Sequence, residues 1–348
     1  MTEYIEVAVR NPPMPWPRQT GTFALGDLPL LAGTSLPGAR MAWRTHGTLS
    51  PARDNAILYP TSYSAQSSEL EWLIGPAGIL DPTRWFIIQP DMFGNGVSSS
   101  PSNTPGYPPL VTAWDNVHAQ RRLLAEQFGI TRLACVYGWS MGAQQAYHYA
   151  AAFPAEVERI IVICGSARTA VHNQVFLRGL LAVLEAAPEY AGNGRFSAHP
   201  QATLRAFARL YAGWALSQDF YRAGRHLAAE PDLEAFLTHQ WEARWLIRDA
   251  ANLYAQAKCW DAGDISANPL YGGDLPAALA AIQARVLLMP GETDLYFRVA
   301  DNAAELPHLR HAELLPIPGI NGHRAGNPNG LAEDADFIRS QVGRWLEG

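Results

Sequence analysis

Short apolar runs alternate with longer helical ones along most of the chain, which predicts a mostly parallel sheet with helices on both faces. The strand candidates are Met41–Thr45, Ala56–Tyr59, Trp85–Gln89, Leu133–Tyr137, Ile160–Cys164, Val286–Met289 and Ala312–Ile317. Phe23–Leu25 and Leu30–Ala32 flank a Gly26-Asp27 turn and predict an antiparallel hairpin ahead of the parallel part. Helices are expected over Val111–Phe128 and over Ala143–Phe153, the latter stopped by Pro154.

One stretch has a different character. Between the strands at 160–164 and 286–289, the segments Phe176–Glu185, Ala202–Ser217, Leu233–Gln240 and Trp245–Trp260 all read as helices, with many aromatics. This is too long for a single crossover. It predicts a helical lid inserted over the C-terminal edge of the sheet, where open α/β sheets bind their ligands. The expected division is a core of residues 1–169 and 280–348 and a lid of residues 170–279. Ser98–Pro109, rich in Ser, Pro and Asn, reads as an ordered surface loop.

With 348 residues, 48% of them apolar, the chain can bury a large core as an ordinary soluble domain. A net charge of −6 without a basic run argues against nucleic acid or an anionic membrane as partner. No apolar run approaches the ~20 residues of a membrane span. Cys135, Cys164 and Cys259 are odd in number and lack C-x-x-C spacing, so neither a disulfide framework nor a zinc site is indicated. Met1–Arg10 is acidic and polar, without the basic and apolar regions of a signal peptide, so a cytoplasmic location is expected.

The chemistry concentrates at Gly138-Trp139-Ser140-Met141-Gly142, between the strand Leu133–Tyr137 and the helix that follows. A serine on so sharp a strand-to-helix turn is strained, and its hydroxyl projects into a cleft beside the first N–H groups of the helix. A serine hydroxyl needs a base, and the base needs an orienting group. In the hydrolase fold that carries this turn, an acid and then a histidine follow the serine along the chain. Pro290-Gly291-Glu292-Thr293-Asp294 offers two carboxylates; Asp294, farther out, takes the usual place of the acid, with Glu292 as the alternative. His323 lies beyond the last strand, whereas His308 and His311 precede it and fall at the opposite edge. Two backbone donors are expected for an oxyanion: Met141 N–H, and one from Tyr59-Pro60-Thr61-Ser62-Tyr63. Pro60 has no N–H, which leaves Thr61 first and Ser62 second.

With these pieces placed, the chain resembles the homoserine O-acetyltransferase-like branch of the α/β-hydrolase superfamily. The resemblance is carried by Gln89–Gly96 with Ser98–Ser102, by the turn through Gln144, by Ala167–Thr169 and His172–Gln174, and by Thr293-Asp294-Leu295-Tyr296. It implies an α/β-hydrolase fold and a triad of Ser140, Asp294 and His323. It also implies Thr61 as loop donor, a lid shaping a tunnel to the serine, and a homodimer through lid helices.

One departure bears on substrate. True homoserine acyltransferases place an aspartate directly after the histidine, where it can pair with the substrate ammonium; this chain has Arg324, which would repel it. The lid run Trp214–Tyr221 and Asp261–Ile265 look more like the esterase members of the branch. The resemblance therefore implies a serine esterase of simple, acetate-type carboxylic esters, needing no metal or organic cofactor. The alternative is an O-acyltransferase moving an acetyl group from acetyl-CoA to a hydroxyl acceptor other than homoserine. Tyr63, Trp139, Trp214 and Tyr221 are the candidate pocket residues for the small ester, with Trp241, Trp245 and Trp260 as further lid aromatics.

Overall fold

The computed structural model describes residues 15–347, so the expectation for Met1–Arg10 lies outside the described residues. Eight strands form one sheet: β1 (Arg18–Pro29), β2 (Ser35–His46), β3 (Ala56–Leu58), β4 (Phe86–Pro90), β5 (Cys135–Trp139), β6 (Arg159–Ile163), β7 (Arg285–Met289) and β8 (Ala312–Leu314). Their order is β1-β2-β4-β3-β5-β6-β7-β8. β2 pairs antiparallel with β1 and β4, and every other pairing is parallel.

Side-chain alternation sorts the strand residues onto two apolar layers. Leu58, Ile88, Val136, Val162 and Leu288 pack on one face with Ala143, Ala146 and Ala150. Ile57, Ile87, Tyr137, Ile163 and Leu287 pack on the other with Ile338, Val342 and Trp345. The first layer is covered by α1 (Ala113–Phe128) and α2 (Met141–Ala152). Burial on both faces is why the central strands read as unbroken apolar runs.

Between β6 and β7 come α3 (Val171–Glu185), α4 (Gln201–Ala215), α5 (Gln218–Arg222), α6 (Leu233–Phe236), α7 (Ala243–Leu246) and α8 (Ala250–Asp261). Their apolar faces form a third cluster, with Leu177, Leu180, Phe207, Tyr211 and Trp260. That cluster also takes in Tyr63, Met92, Met141, Tyr296 and Phe297 from loops at the C-terminal sheet edge. After α8 follow α9 (Leu275–Ala281), α10 (Val299–Glu305) and α11 (Ala332–Glu347), the last covering the second sheet face.

Three local expectations are corrected. β1 runs straight through Gly26-Asp27 as a bulged strand, with register shifts on both sides of Gly26 (φ 68°). The hairpin turn lies instead at Leu30–Thr34, closed by Leu30 N–H donating to Thr34 O at 2.9 Å. A glycine inside a strand marks a bulge as readily as a turn. Trp245–Trp260 is not one helix: α7 ends at Leu246 and Asp249 caps α8, accepting from Asn252 N–H at 3.0 Å. The Ser98–Pro109 loop is not confined to the surface, since Ser98, Ser99 and Ser100 are buried. Ser98 Oγ accepts from Ala42 N–H and Ser99 Oγ from Arg40 N–H, so these hydroxyls satisfy β2 where its pairing with β4, confined to Trp43–His46, has ended.

His148, buried in α2, has no hydrogen-bond partner on either ring nitrogen among the described residues. Burial lowers its pKa from 6.5 to about 4. The folded state thus binds the proton less well than the unfolded chain. Its contribution is intact above pH 6.5 and is lost as pH falls towards 4. From pH 7.5 to pH 5, wild type is expected to lose about 2 kcal/mol more unfolding free energy than His148→Met. Chemical denaturation at the two pH values measures this, and parallel losses would refute the assignment.

Candidate active site

Ser140 joins β5 to α2 at φ 58° and ψ −126°, a left-handed φ for a non-glycine residue that carries roughly 1–3 kcal/mol of strain. Packing holds it there. Its N–H donates to Ile163 O at 2.9 Å, and its carbonyl accepts from Ala143 N–H (2.9 Å) and Gln144 N–H (3.1 Å). The flanking glycines serve close approach rather than left-handed backbone. A Cβ at Gly138 would overlap the Gly142 carbonyl, and one at Gly142 would sit 2.7 Å from Pro60 O. The strain falls on the serine itself.

Asp294 and His323 come to the same point. His323 Nε2 lies 2.9 Å from Ser140 Oγ, and its Nδ1 lies 2.7 Å from Asp294 Oδ2. All three residues are at most 3% exposed. Asp294 Oδ1 accepts from the N–H groups of Tyr296 (2.7 Å) and Phe297 (3.2 Å), which fixes the carboxylate plane. With Nδ1–H donating to Asp294, Nε2 is left to accept from the serine. Glu292 points elsewhere: its Oε2 accepts from Gly319 N–H at 3.2 Å. Thr293 Oγ1 accepts from Gly322 N–H at 3.1 Å and donates to Gly319 O at 3.1 Å, which binds the Asp294 loop to the His323 loop.

A strap that the sequence reading missed comes from the helical segment. Ser217 Oγ donates to Ile320 O at 2.5 Å, and a Cβ at Gly322 would meet Ser217 N at 2.8 Å. The histidine loop is therefore packed against the end of α4. A serine just after a helix carries no signal in the sequence beyond a cap for the next one, a role that Ser217 also fills at Phe220 N–H.

Met141 opens α2, so its N–H has no intrahelical acceptor. Opposite runs Pro60–Ser62, held against the serine by Ser62 Oγ donating to Trp139 O (2.5 Å) and by Gln145 Nε2 donating to Thr61 O (2.9 Å). Gln145 is a second supporting residue that the sequence reading missed. Thr61 N–H is turned to Pro90 O at 3.4 Å, whereas Ser62 N–H has no protein acceptor among the described residues. Thr61 N–H thus extends the β3–β4 pairing through a long contact, while the N–H of Ser62, the second choice from sequence, carries no such bond among the described residues.

Aromatic rings box in the imidazole. Trp139 stacks on His323 with centroids 5.1 Å apart, while Tyr296 (4.9 Å) and Phe297 (5.6 Å) close other sides. Tyr63 stacks on Tyr211 and its hydroxyl donates to Leu253 O at 3.0 Å. Trp214 reaches this group through Phe176 and Tyr296. Tyr221 faces Phe220, Phe236 and His226, and its hydroxyl donates to Ala212 O. Burial raises the Tyr211 and Tyr296 phenols far above 10, so both stay neutral.

Cys164 Sγ, an Asp294 oxygen and a His323 nitrogen lie within 4.8 Å of one another, the spacing of a metal site. The donor set does not suit one. Burial pushes the Cys164 thiol well above 9, and both His323 nitrogens are engaged with Ser140 and Asp294.

Known proteins share this architecture. The alpha/beta hydrolase fold model matches residues 66–319. An ethyl acetate hydrolase of Pseudomonas veronii is 38% identical over 86% of this chain and 87% of its own. The solved acetyl esterase MekB superposes with a TM-score of 0.90 at 34% identity, covering 95% of this chain and 97% of that one. A homoserine O-acetyltransferase of Leifsonia xyli subsp. xyli is more distant, 28% identical over 92% of this chain and 87% of its own. The chain belongs to the α/β-hydrolase family, in its homoserine acetyltransferase-like branch and nearer to the esterases than to the acyltransferases.

Proposed function

We propose that the protein is a serine carboxylesterase that hydrolyses short-chain, acetate-type esters. The observation that carries this reading is the unbroken hydrogen-bonded path from Ser140 Oγ through His323 to Asp294, at 2.9 and 2.7 Å. Similarity to an ethyl acetate hydrolase and an acetyl esterase points to the same substrate class.

Ser140 Oγ attacks the ester carbonyl as His323 Nε2 takes its proton, and Asp294 stabilises the imidazolium that forms. The carbonyl oxygen, now negative, is held by Met141 N–H and by a loop N–H, that of Thr61 or its neighbour Ser62. Collapse of the adduct breaks the bond to the alcohol, which leaves with the proton from His323 and gives an acyl-serine. Water then gives its proton to the same nitrogen and attacks the acyl carbon. Release of the acid returns the proton to Ser140.

In this reading residues 170–279 act as a lid, and the aromatics Tyr63, Trp139 and Trp214 bound the substrate. The packing of α3, α4 and α8 on Met141 and Tyr296 supports that role. A homodimer through lid helices is part of the same proposal, supported by Val171 and Val175 of α3, which are 77% and 61% exposed. So is a cytoplasmic location, with which three free, buried thiols agree.

Ser140→Ala is expected to lower turnover of ethyl acetate by about 10⁴-fold or more, with unchanged circular dichroism. Asp294→Asn should cost about 10⁴ by spoiling the imidazole tautomer. Release of acetate with water alone supports the hydrolase; turnover only when acetyl-CoA and an alcohol acceptor are supplied would replace it with the acyltransferase.

Gly326→Ala tests the histidine loop. Its Cβ would lie 2.6 Å from both Cys164 Sγ and Trp139 Cδ1, so the indole that stacks on His323 must shift. A loss of roughly 10–100-fold in kcat is expected with KM little changed, and unaltered kcat would show that the loop absorbs the methyl.

A further inference from the structure

Glu305 ends α10, the helix that follows the Asp294 loop, and its side chain is buried. Among the described residues no cation pairs with it. Three donors meet its carboxylate instead. Ala167 N–H donates to Oε1 at 2.7 Å, while Tyr147 Oη and Asn302 Nδ2 donate to Oε2 at 2.7 and 3.0 Å. Tyr147 belongs to α2, Ala167 to the loop leaving β6, and Asn302 to α10 itself. A carboxylate buried without a counter-ion is costly even when hydrogen-bonded, and the steps at Ser140 make no use of this one.

Two of those donors are fixed. Ala167 N–H is a backbone group that can only donate. The Asn302 amide cannot turn over, because the same Nδ2 donates to Gly165 O at 2.9 Å. Each carboxylate oxygen therefore faces an obligate donor, an arrangement that suits the ionised form. A glutamine amide would turn its NH₂ group against one of them. The titratable groups facing Glu305 are Tyr147 and Asp301. Burial raises its pKa from 4.5 to about 7, against the hydrogen bonds that favour the anion, so it takes up a proton as pH falls through that value.

The loop that these donors hold, residues 164–167, touches every part of the triad. Ile163, just before it, accepts from Ser140 N–H at 2.9 Å. A Cβ at Gly165 would lie 2.4 Å from Ala143 Cβ and 3.3 Å from Ser140 O, so the loop backbone rests against the serine turn. Cys164 Sγ lies within 4.8 Å of an Asp294 oxygen and a His323 nitrogen, and a Cβ at Gly326 would meet that sulfur at 2.6 Å. Cys164 has φ 45°, and a non-glycine residue keeps that conformation only when its surroundings hold it there.

We propose that Glu305 is a positioning residue for the triad, its carboxylate clamping the loop 164–167 between the serine turn and the loops that carry Asp294 and His323. It touches no substrate. Through Ala167 directly, and through Asn302 to Gly165, it ties the helix after the acid loop to the backbone beneath the nucleophile. This rests on the nucleophilic Ser140 of the ester-hydrolase reading. Slackening the clamp misaligns the hydroxyl and the imidazole, which costs turnover rather than substrate binding.

The test reads Ser140 directly. The rate at which a fluorophosphonate phosphonylates its Oγ, with release of fluoride, is followed across the pH range, alongside kcat and KM for ethyl acetate. Glu305→Gln is expected to slow phosphonylation and lower kcat by roughly 10–100-fold above neutral pH, with KM little changed. Its acid limb should also lose one ionisation, the one at about pH 7 that the wild type carries. A role confined to stability would lower the unfolding midpoint and leave the ionisations as they were. Asn302→Ala frees Gly165 O and keeps the carboxylate. It should slow phosphonylation while still carrying that ionisation, and it decides the matter should the glutamine variant fail to fold. Unchanged rates in the variants, or the same acid limb in wild type and Glu305→Gln, overturn the assignment. Phosphonylation as expected without cleavage of acetate esters keeps the positioning role and removes the ester-hydrolase reading. A wild-type Ser140 that resists the probe overturns both.

Discussion

The close contact of backbone with backbone around Ser140 sets the rest of this molecule. Gly138 lies against the Gly142 carbonyl and Gly142 against Pro60, so β5, α2 and the loop after β3 meet without side chains between them. Only this approach lets a serine sit at φ 58° with its N–H on Ile163 O and the first N–H of α2 left over. A methyl group at Gly138 would push the strand from the helix, and one at Gly142 would push the helix from the loop after β3. The strain of one residue is thus held by the two apolar layers on either side of the sheet, which are far larger.

The second requirement is that three loops distant in sequence agree in position within hydrogen-bonding tolerance. Each is tied to a neighbour by polar contacts that have no other use. Thr293 joins the Asp294 loop to the His323 loop, Ser217 joins the His323 loop to α4, and Ser62 joins the β3 loop to Trp139. The Asp294 carboxylate is further oriented by two N–H groups of its own loop. Together these ties fix positions that apolar packing alone, which is non-directional, would leave free by fractions of an ångström.

What could be read from the sequence follows from this division. The central strands were legible because burial on both faces makes them continuous apolar runs, and Ser140, Asp294 and His323 because chain order restricts them. Glu292 and Asp294 were separable by their place in the loop, and the geometry sets Glu292 on Gly319 instead. The turn at Leu30–Thr34 was not legible, since Gly26 supplies the same local signal as a bulge. Nor were Ser217, Gln145 and Ser98, whose partners are backbone groups contributed by other segments. Thr61 and Ser62 differ only in which N–H continues the sheet, and that depends on pairing with Pro90.

The helices between β6 and β7 bear on the same site at several points. They complete the apolar cluster over Met141 and Tyr296, and through Ser217 they seat the histidine loop. They also place Arg244 and Arg248 in the wall of a cleft of about 440 Å³ that Trp139 and Arg324 line as well. A substitution in this segment therefore cannot alter selectivity alone. A change that moves α7 shifts the guanidiniums, and through the shared aromatic cluster it also shifts the residues around the imidazole.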